Sequence, residues 1–149
     1  MRADLWTCPH CERQFANRNQ QHSCIKTSVE TFLTGKGPRA RELFDAFVNA
    51  ALTCGDVSLA PAKTRVGIQA RMIFASVNRL SDTHLDAHVV LARRLEHPRF
   101  YKVESFSPRN HMHCFRIEQT ADIDGEVIAW LREAYAVGEQ EHLTRKSYE

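Results

Sequence analysis

Between residues 57 and 117 the chain alternates apolar and polar residues in short runs, and an amphipathic helical stretch stands on either side. The runs are "VSLAP" (57–61), "TRVGIQA" (64–70), "IFASVNRL" (73–80), "HLDAHVVLA" (84–92), "FYKVESF" (100–106) and "HMHCFRI" (111–117). A period of two places alternate side chains on opposite faces of a strand. In the fourth run Leu85, Ala87, Val89 and Leu91 share one face, and His84, Asp86 and His88 the other. Turn-forming "LSDTH" and "SPRNH" join neighbours over short distances, which favours antiparallel pairing. The prediction is an antiparallel meander of about five strands.

The helices follow from a different period. "GPRARELFDAFVNAALTCG" carries Leu43, Phe44, Phe47, Val48, Ala51 and Leu52 on one stripe, with Pro38 in its first turn and Gly55 past its end. "TADIDGEVIAWLREAYAVG" predicts a second helix over 120–138, capped by Thr120 or Asp122, with Ile123, Val127, Trp130, Leu131, Ala134 and Tyr135 toward the core. A short turn of helix is expected after Ser28, closing near Gly35. Two helices on one face of an antiparallel sheet make an α+β fold. The division expected is 1–27 as a separate segment, 28–138 as the α+β domain and 139–149 as a charged tail.

The first 27 residues are poor in aliphatics and cannot bury an adequate core alone. They carry Cys8-x2-Cys11-x10-His22-x-Cys24. A CxxC pair closed by a later His and Cys is the donor set of structural zinc. The single residue between His22 and Cys24 demands a sharp turn. A redox CxxC and a set of non-ligating thiols are the competing readings, but a redox motif belongs at a strand-to-helix junction inside a βαβ unit, and this one lies in a polar segment ahead of any such unit. Four protein ligands leave no open position, so the Zn2+ expected is structural. Trp6 and Phe15 are expected to pack around it; stacking on bases, with Arg13 and Arg18 near phosphates, is the alternative.

Those residues, with others down the chain, carry a resemblance. "LWTCPHCERQFANRNQQHSC", "TGKGPRARELFDAF", "KTRVGIQARMIFA", "LARRLEHPRF" and "WLREAYAVG" together resemble a bacterial family, the domain of unknown function 5655, from about Trp6 to Gly138. The resemblance implies a small α+β domain preceded by a Cys/His segment. It brings no activity and no catalytic residue, only a loose association with nucleic-acid and restriction-associated proteins.

Charge narrows the function classes. The net charge is +2, but 17 Lys and Arg against 10 Asp and Glu precede Ile117, and 3 against 8 follow. A basic body can attract polyanions. Lys63, Arg65, Arg93, Arg94 and Arg109 are candidate anion-binding residues near strand ends and turns, because guanidinium groups grip phosphate and carboxylate through paired hydrogen bonds. His88, His111 and His113 are candidate acid/base groups. The bland alternative is a solvated sheet face. "RRLEHPRF" is either a surface ion-pair cluster or a clamp for an acidic ligand. Cys54, Cys114, Phe74 and Phe106 are expected in the core.

No phosphate-cradling Gly-rich loop, HExxH or GxSxG is present. No apolar run reaches the ~20 residues of a membrane span, and no secretory leader is evident, so a cytoplasmic setting with reduced thiols is expected. A binding module for nucleic acid or another anionic ligand is the expected function. An enzyme for a phosphorylated or carboxylated substrate and an interaction module without chemistry are the alternatives.

Overall fold

The computed structural model describes residues 5–9, 12–19 and 28–140. It is an α+β fold with a two-stranded ribbon and a six-stranded antiparallel sheet. The ribbon pairs β1 (Trp6–Thr7) with β2 (Gln14–Phe15). Helix α1 (Val29–Leu33) starts where Ser28 Oγ accepts from the Thr31 amide, and the chain leaves through Gly35 at φ 80°. Helix α2 (Pro38–Leu52) buries Leu43, Phe44, Phe47, Val48 and Ala51, the stripe read from the sequence, while Leu52 is exposed.

The large sheet comprises β3 (Ser58–Pro61), β4 (Val66–Gln69), β5 (Ile73–Leu80), β6 (Leu85–Leu91), β7 (Lys102–Ser107) and β8 (Asn110–Ile117). Two expectations need correction. Among the described residues the large sheet has six strands rather than about five, and they do not form a plain meander: the order is β3-β4-β5-β6-β8-β7. The chain passes over the slot beside β6, forms the edge strand β7, and β8 returns to fill the slot. Composition explains the exchange. Strand β8 carries Phe115 and Ile117 on one side and Cys114 on the other, all buried, so it suits a central place. Strand β7, "KVESFS", has no apolar face to bury, and its charges blunt an edge.

The core lies between one sheet face and helices α2 and α3 (Gly125–Gly138). Val66, Ile68, Val77, Leu85, Val89 and Leu91 of the sheet meet Val127, Leu131 and Ala134 of α3 in one cluster. The helix expected over 120–138 is broken. A 3₁₀ turn, Thr120–Asp122, is closed by reciprocal bonds between Gln119 and Asp122, and Asp124 then caps α3 by accepting from the Val127 amide. Competition among closely spaced capping side chains splits the element. Phe74 is buried as expected. Phe106 is 61% exposed, because the β7–β8 register skips it.

Candidate functional site

Among the described residues no helix lies on the second sheet face, and a polar row crosses its middle. Register aligns Gly67, Ser76, His88, Cys114 and Lys102 across five strands. The row is far less solvated than such a face usually is: His88 is 7% exposed, and Ser76 and Cys114 are buried too. The register between β5 and β6 skips Asn78. This bulge re-aims Asn78, whose Nδ2 lies 2.9 Å from His88 Nδ1. Burial, and then the nearby positive charge of Arg65, push the imidazole down to about 4, so His88 is neutral at physiological pH. Asn78 Oδ1 is buried without a hydrogen-bond partner. Burial likewise pushes the Cys114 thiol up, which suits an inert sulfur.

Cations surround the row. Asp86 sits opposite Arg79 on one neighbouring strand and Arg116 on the other. Arg116 Nε donates to Asp86 Oδ1 at 2.8 Å, and this bond holds the guanidinium charged above its usual range. Arg65 and Arg79 have no ion-pair partner among the described residues. Lys102 contacts Glu104 at 3.8 Å and lies beside Cys114 in the register. Tyr101 is 58% exposed. Burial raises its hydroxyl's pKa, as does the nearby Asp86 carboxylate, while Arg116 and Arg79 oppose the shift. The helix-free face thus gathers Arg65, Arg79, Lys102 and Arg116 against Asp86 and Glu104, with an open phenol ring among them.

The residues singled out in the sequence are dispersed. Lys63 and Arg65 belong to the β3–β4 turn, at one end of the sheet, whereas Arg93, Arg94 and Arg109 follow β6 or precede β8 at the other. Arg93 grips Glu133 of α3 through two 2.9 Å bonds. Arg94 reaches Glu96 and Ser105. His97 meets Glu126 and Arg99 meets Asp124, so "RRLEHPRF" straps the β6–β7 connection to the start of α3. The three candidate acid/base histidines do not converge. His88 is on the helix-free face, whereas His111 and His113 alternate with Cys114 and point toward the helices. His113 is fully buried and packs against Phe100 with ring centroids 4.9 Å apart and the planes tilted by 59°. Its Nε2 accepts the Leu95 amide at 2.9 Å, and its Nδ1 bonds the His111 carbonyl. That imidazole holds the connection in place and has no free nitrogen for chemistry. His111 bonds Ser105 and the Pro108 carbonyl.

Sequence reasoning missed Arg79, Lys102, Arg116 and Tyr101. Arg116 stands two residues after Cys114 and shares its face of β8, but only the β6–β8 pairing brings it to Asp86.

The ribbon adjoins the top of this face, where the Gln69 side chain donates to the Gln14 carbonyl. Of the four expected zinc ligands, Cys8 is buried, and Cys11, His22 and Cys24 lie outside the described residues. Cys8 heads a tight turn: its amide donates to the Arg13 carbonyl at 2.8 Å and its carbonyl accepts from Glu12 at 2.9 Å, with Glu12 at φ 64°. Trp6 and Phe15 pack against it with ring centroids 6.1 Å apart. Among the described residues no three His, Cys, Asp or Glu side chains are placed to share a metal ion.

A family model described as domain of unknown function (DUF5655) matches residues 29–138, from the first residue of α1 to the last of α3. The chain belongs to this family. The DUF5655 match begins at residue 29, so the resemblance expected from about Trp6 is shorter than anticipated, and the Cys/His segment stands outside it. No curated protein and no solved structure matches the chain. No helix of the DUF5655 domain, or elsewhere among the described residues, is long and apolar enough to cross a membrane.

Proposed function

We propose that this protein is a binding module for single-stranded nucleic acid, with the helix-free sheet face as its platform. One observation carries the reading: Tyr101 stands open to solvent beside Arg79 and Arg116, on a face where Arg65 and Lys102 add further positive charge. Cations following a phosphate backbone and an aromatic ring for base stacking are the parts that such binding needs. Two of the cations, Arg65 and Arg79, are not engaged by carboxylates among the described residues, so they can exchange hydration for phosphate. His88 is neutral and buried beneath them, and contributes shape and hydrogen bonding rather than charge. The dispersal of the histidines argues against acid/base catalysis by the three together.

The N-terminal segment is read as a structural zinc knuckle held by Cys8, Cys11, His22 and Cys24. Its support is the donor set, the tight turn at Cys8 and the burial of that thiol. A bound Zn2+ would order the segment beside the platform and take no part in chemistry.

Fluorescence anisotropy with a labelled single-stranded oligonucleotide of about a dozen nucleotides tests the platform. Binding is expected at low salt, with affinity falling about tenfold or more between roughly 50 and 200 mM salt. The Arg79→Glu/Lys102→Glu double variant is expected to abolish it, and Tyr101→Ala to weaken it without changing the salt slope. No binding at low salt, or full binding by the charge-reversed variant, would overturn the proposal.

A further inference from the structure

A separate cleft of about 630 Å3 opens at the far end of the sheet. It lies where the C-terminus of α3 meets the start of β5, the end of β6 and the β7–β8 turn. Its size falls within the range of small-molecule sites. Its walls are of two kinds. Met72, Ile73, Val90 and Val137 supply an apolar part, and Ser107, Arg109 and Asn110 around the β7–β8 turn a polar part, with Gln140, whose Oε1 accepts from Arg71 Nε at 3.1 Å, beside them. The apolar wall is solvent-facing in part: Ile73 is 40% exposed.

Arg109 is the group that discriminates. Its backbone amide bonds Ser107 Oγ, which shapes the turn. Its guanidinium has no ion-pair partner among the described residues, unlike Arg93, Arg99 and Arg116, which are all tied to carboxylates. Arg109 is a half-buried residue, and a guanidinium without a counter-charge among the described residues, on the wall of a cleft, selects an anion. Among the described residues Arg109 is the one cation that lines the cleft, and it balances one negative charge rather than two. Val137 and Gly138 line the cleft at the C-terminal end of α3, where the helix dipole disfavours an anion, so the carboxylate belongs at Arg109.

We infer that this cleft binds a small monocarboxylate with an extended apolar body, its carboxylate on Arg109 and its apolar part against Met72, Ile73, Val90 and Val137. This site is independent of the nucleic-acid platform, since neither Arg79, Lys102 nor Tyr101 lines it.

Calorimetric titration of the full chain with dodecanoate tests the inference, with dodecanol and dodecyl phosphate as comparison ligands. Saturable one-to-one binding of dodecanoate is expected, and Arg109→Gln should weaken it about tenfold or more while leaving dodecanol unchanged. Val90→Trp, which fills the cleft from a half-buried position, should weaken dodecanoate and dodecanol alike. Amide resonances of Ser107, Arg109 and Asn110 should shift on titration. The inference is overturned if dodecanoate fails to saturate, if Arg109→Gln binds it as tightly as the parent, or if dodecyl phosphate binds more tightly than dodecanoate. Both variants should keep oligonucleotide binding, so failure here and failure of the platform are told apart.

Discussion

His88 is a histidine placed where a proton is hard to hold. Its pKa is pushed to about 4 by burial and then by Arg65, against an ordinary value near 6.5. The folded form therefore resists protonation while the unfolded chain accepts it, and between those two values the unfolded state binds more protons. Stability should fall as pH drops from about 6.5 to about 4, by on the order of 3 kcal/mol from this residue at most. Burial lowers His113 in the same sense. Urea denaturation at pH 7 and at pH 4.5 measures the loss, and His88→Gln should flatten the dependence; an unchanged slope in that variant would refute the assignment. The sequence correctly gave His88 an outward direction. It did not reveal that Asn78, bulged from β5, and the crowded row around it would strip away the water.

Among the elements, α2 shows how a helix start can be completed from afar. Its N-cap position is Gly37, which has no side chain to offer. Asp82, 42 residues from its partner in sequence, accepts from the Ala40 amide at 3.0 Å instead. Asp82→Ala should cost about 1 kcal/mol in chemical denaturation, and Asp82→Asn clearly less, since it keeps the acceptor. At the other end of the fold, Gly138 lies against β5: a Cβ there would come within 2.9 Å of Phe74 Cβ and 3.1 Å of the Met72 carbonyl. That closeness lets the Met72 amide donate to Gly138 O at 2.8 Å. Gly138→Ala should destabilise by about 1–3 kcal/mol. Gly125→Ala, where nothing lies within 4 Å, should be neutral or mildly stabilising. Equal losses at the two sites would contradict this packing account.

Across the whole molecule the charge asymmetry acquires a place. Part of the acidic surplus that follows Arg116, Glu126 and Glu133 with Asp124, meets the "RRLEHPRF" cations at α3, and these pairs are partly exposed and so contribute little each. The cations of the opposite sheet face have fewer acidic neighbours and give that face its field. The Cys/His segment adds a test at the same scale. Native mass spectrometry should find one zinc ion per chain, and a chelator should lower the melting temperature of the parent but not of a Cys8→Ser/Cys11→Ser variant. A metal-free sample with undiminished stability would remove zinc from the description.

The local features were legible because they are periodic. Six runs of alternation, the apolar stripe of α2 and the capping of α1 by Ser28 each depend on residues a few positions apart, and the sequence by itself determined an antiparallel α+β fold with Leu85, Val89 and Leu91 on one shared face. Strand order is a different kind of information. Placing β8 between β6 and β7 depends on which segment can bury side chains on both faces, a comparison made across the whole chain. Only that order sets Arg116 against Asp86 and Lys102 beside Cys114, and only the skipped registers turn Asn78 toward His88 and leave Phe106 outside. The cations that make a site are thus chosen by pairing between distant segments, which no local period encodes.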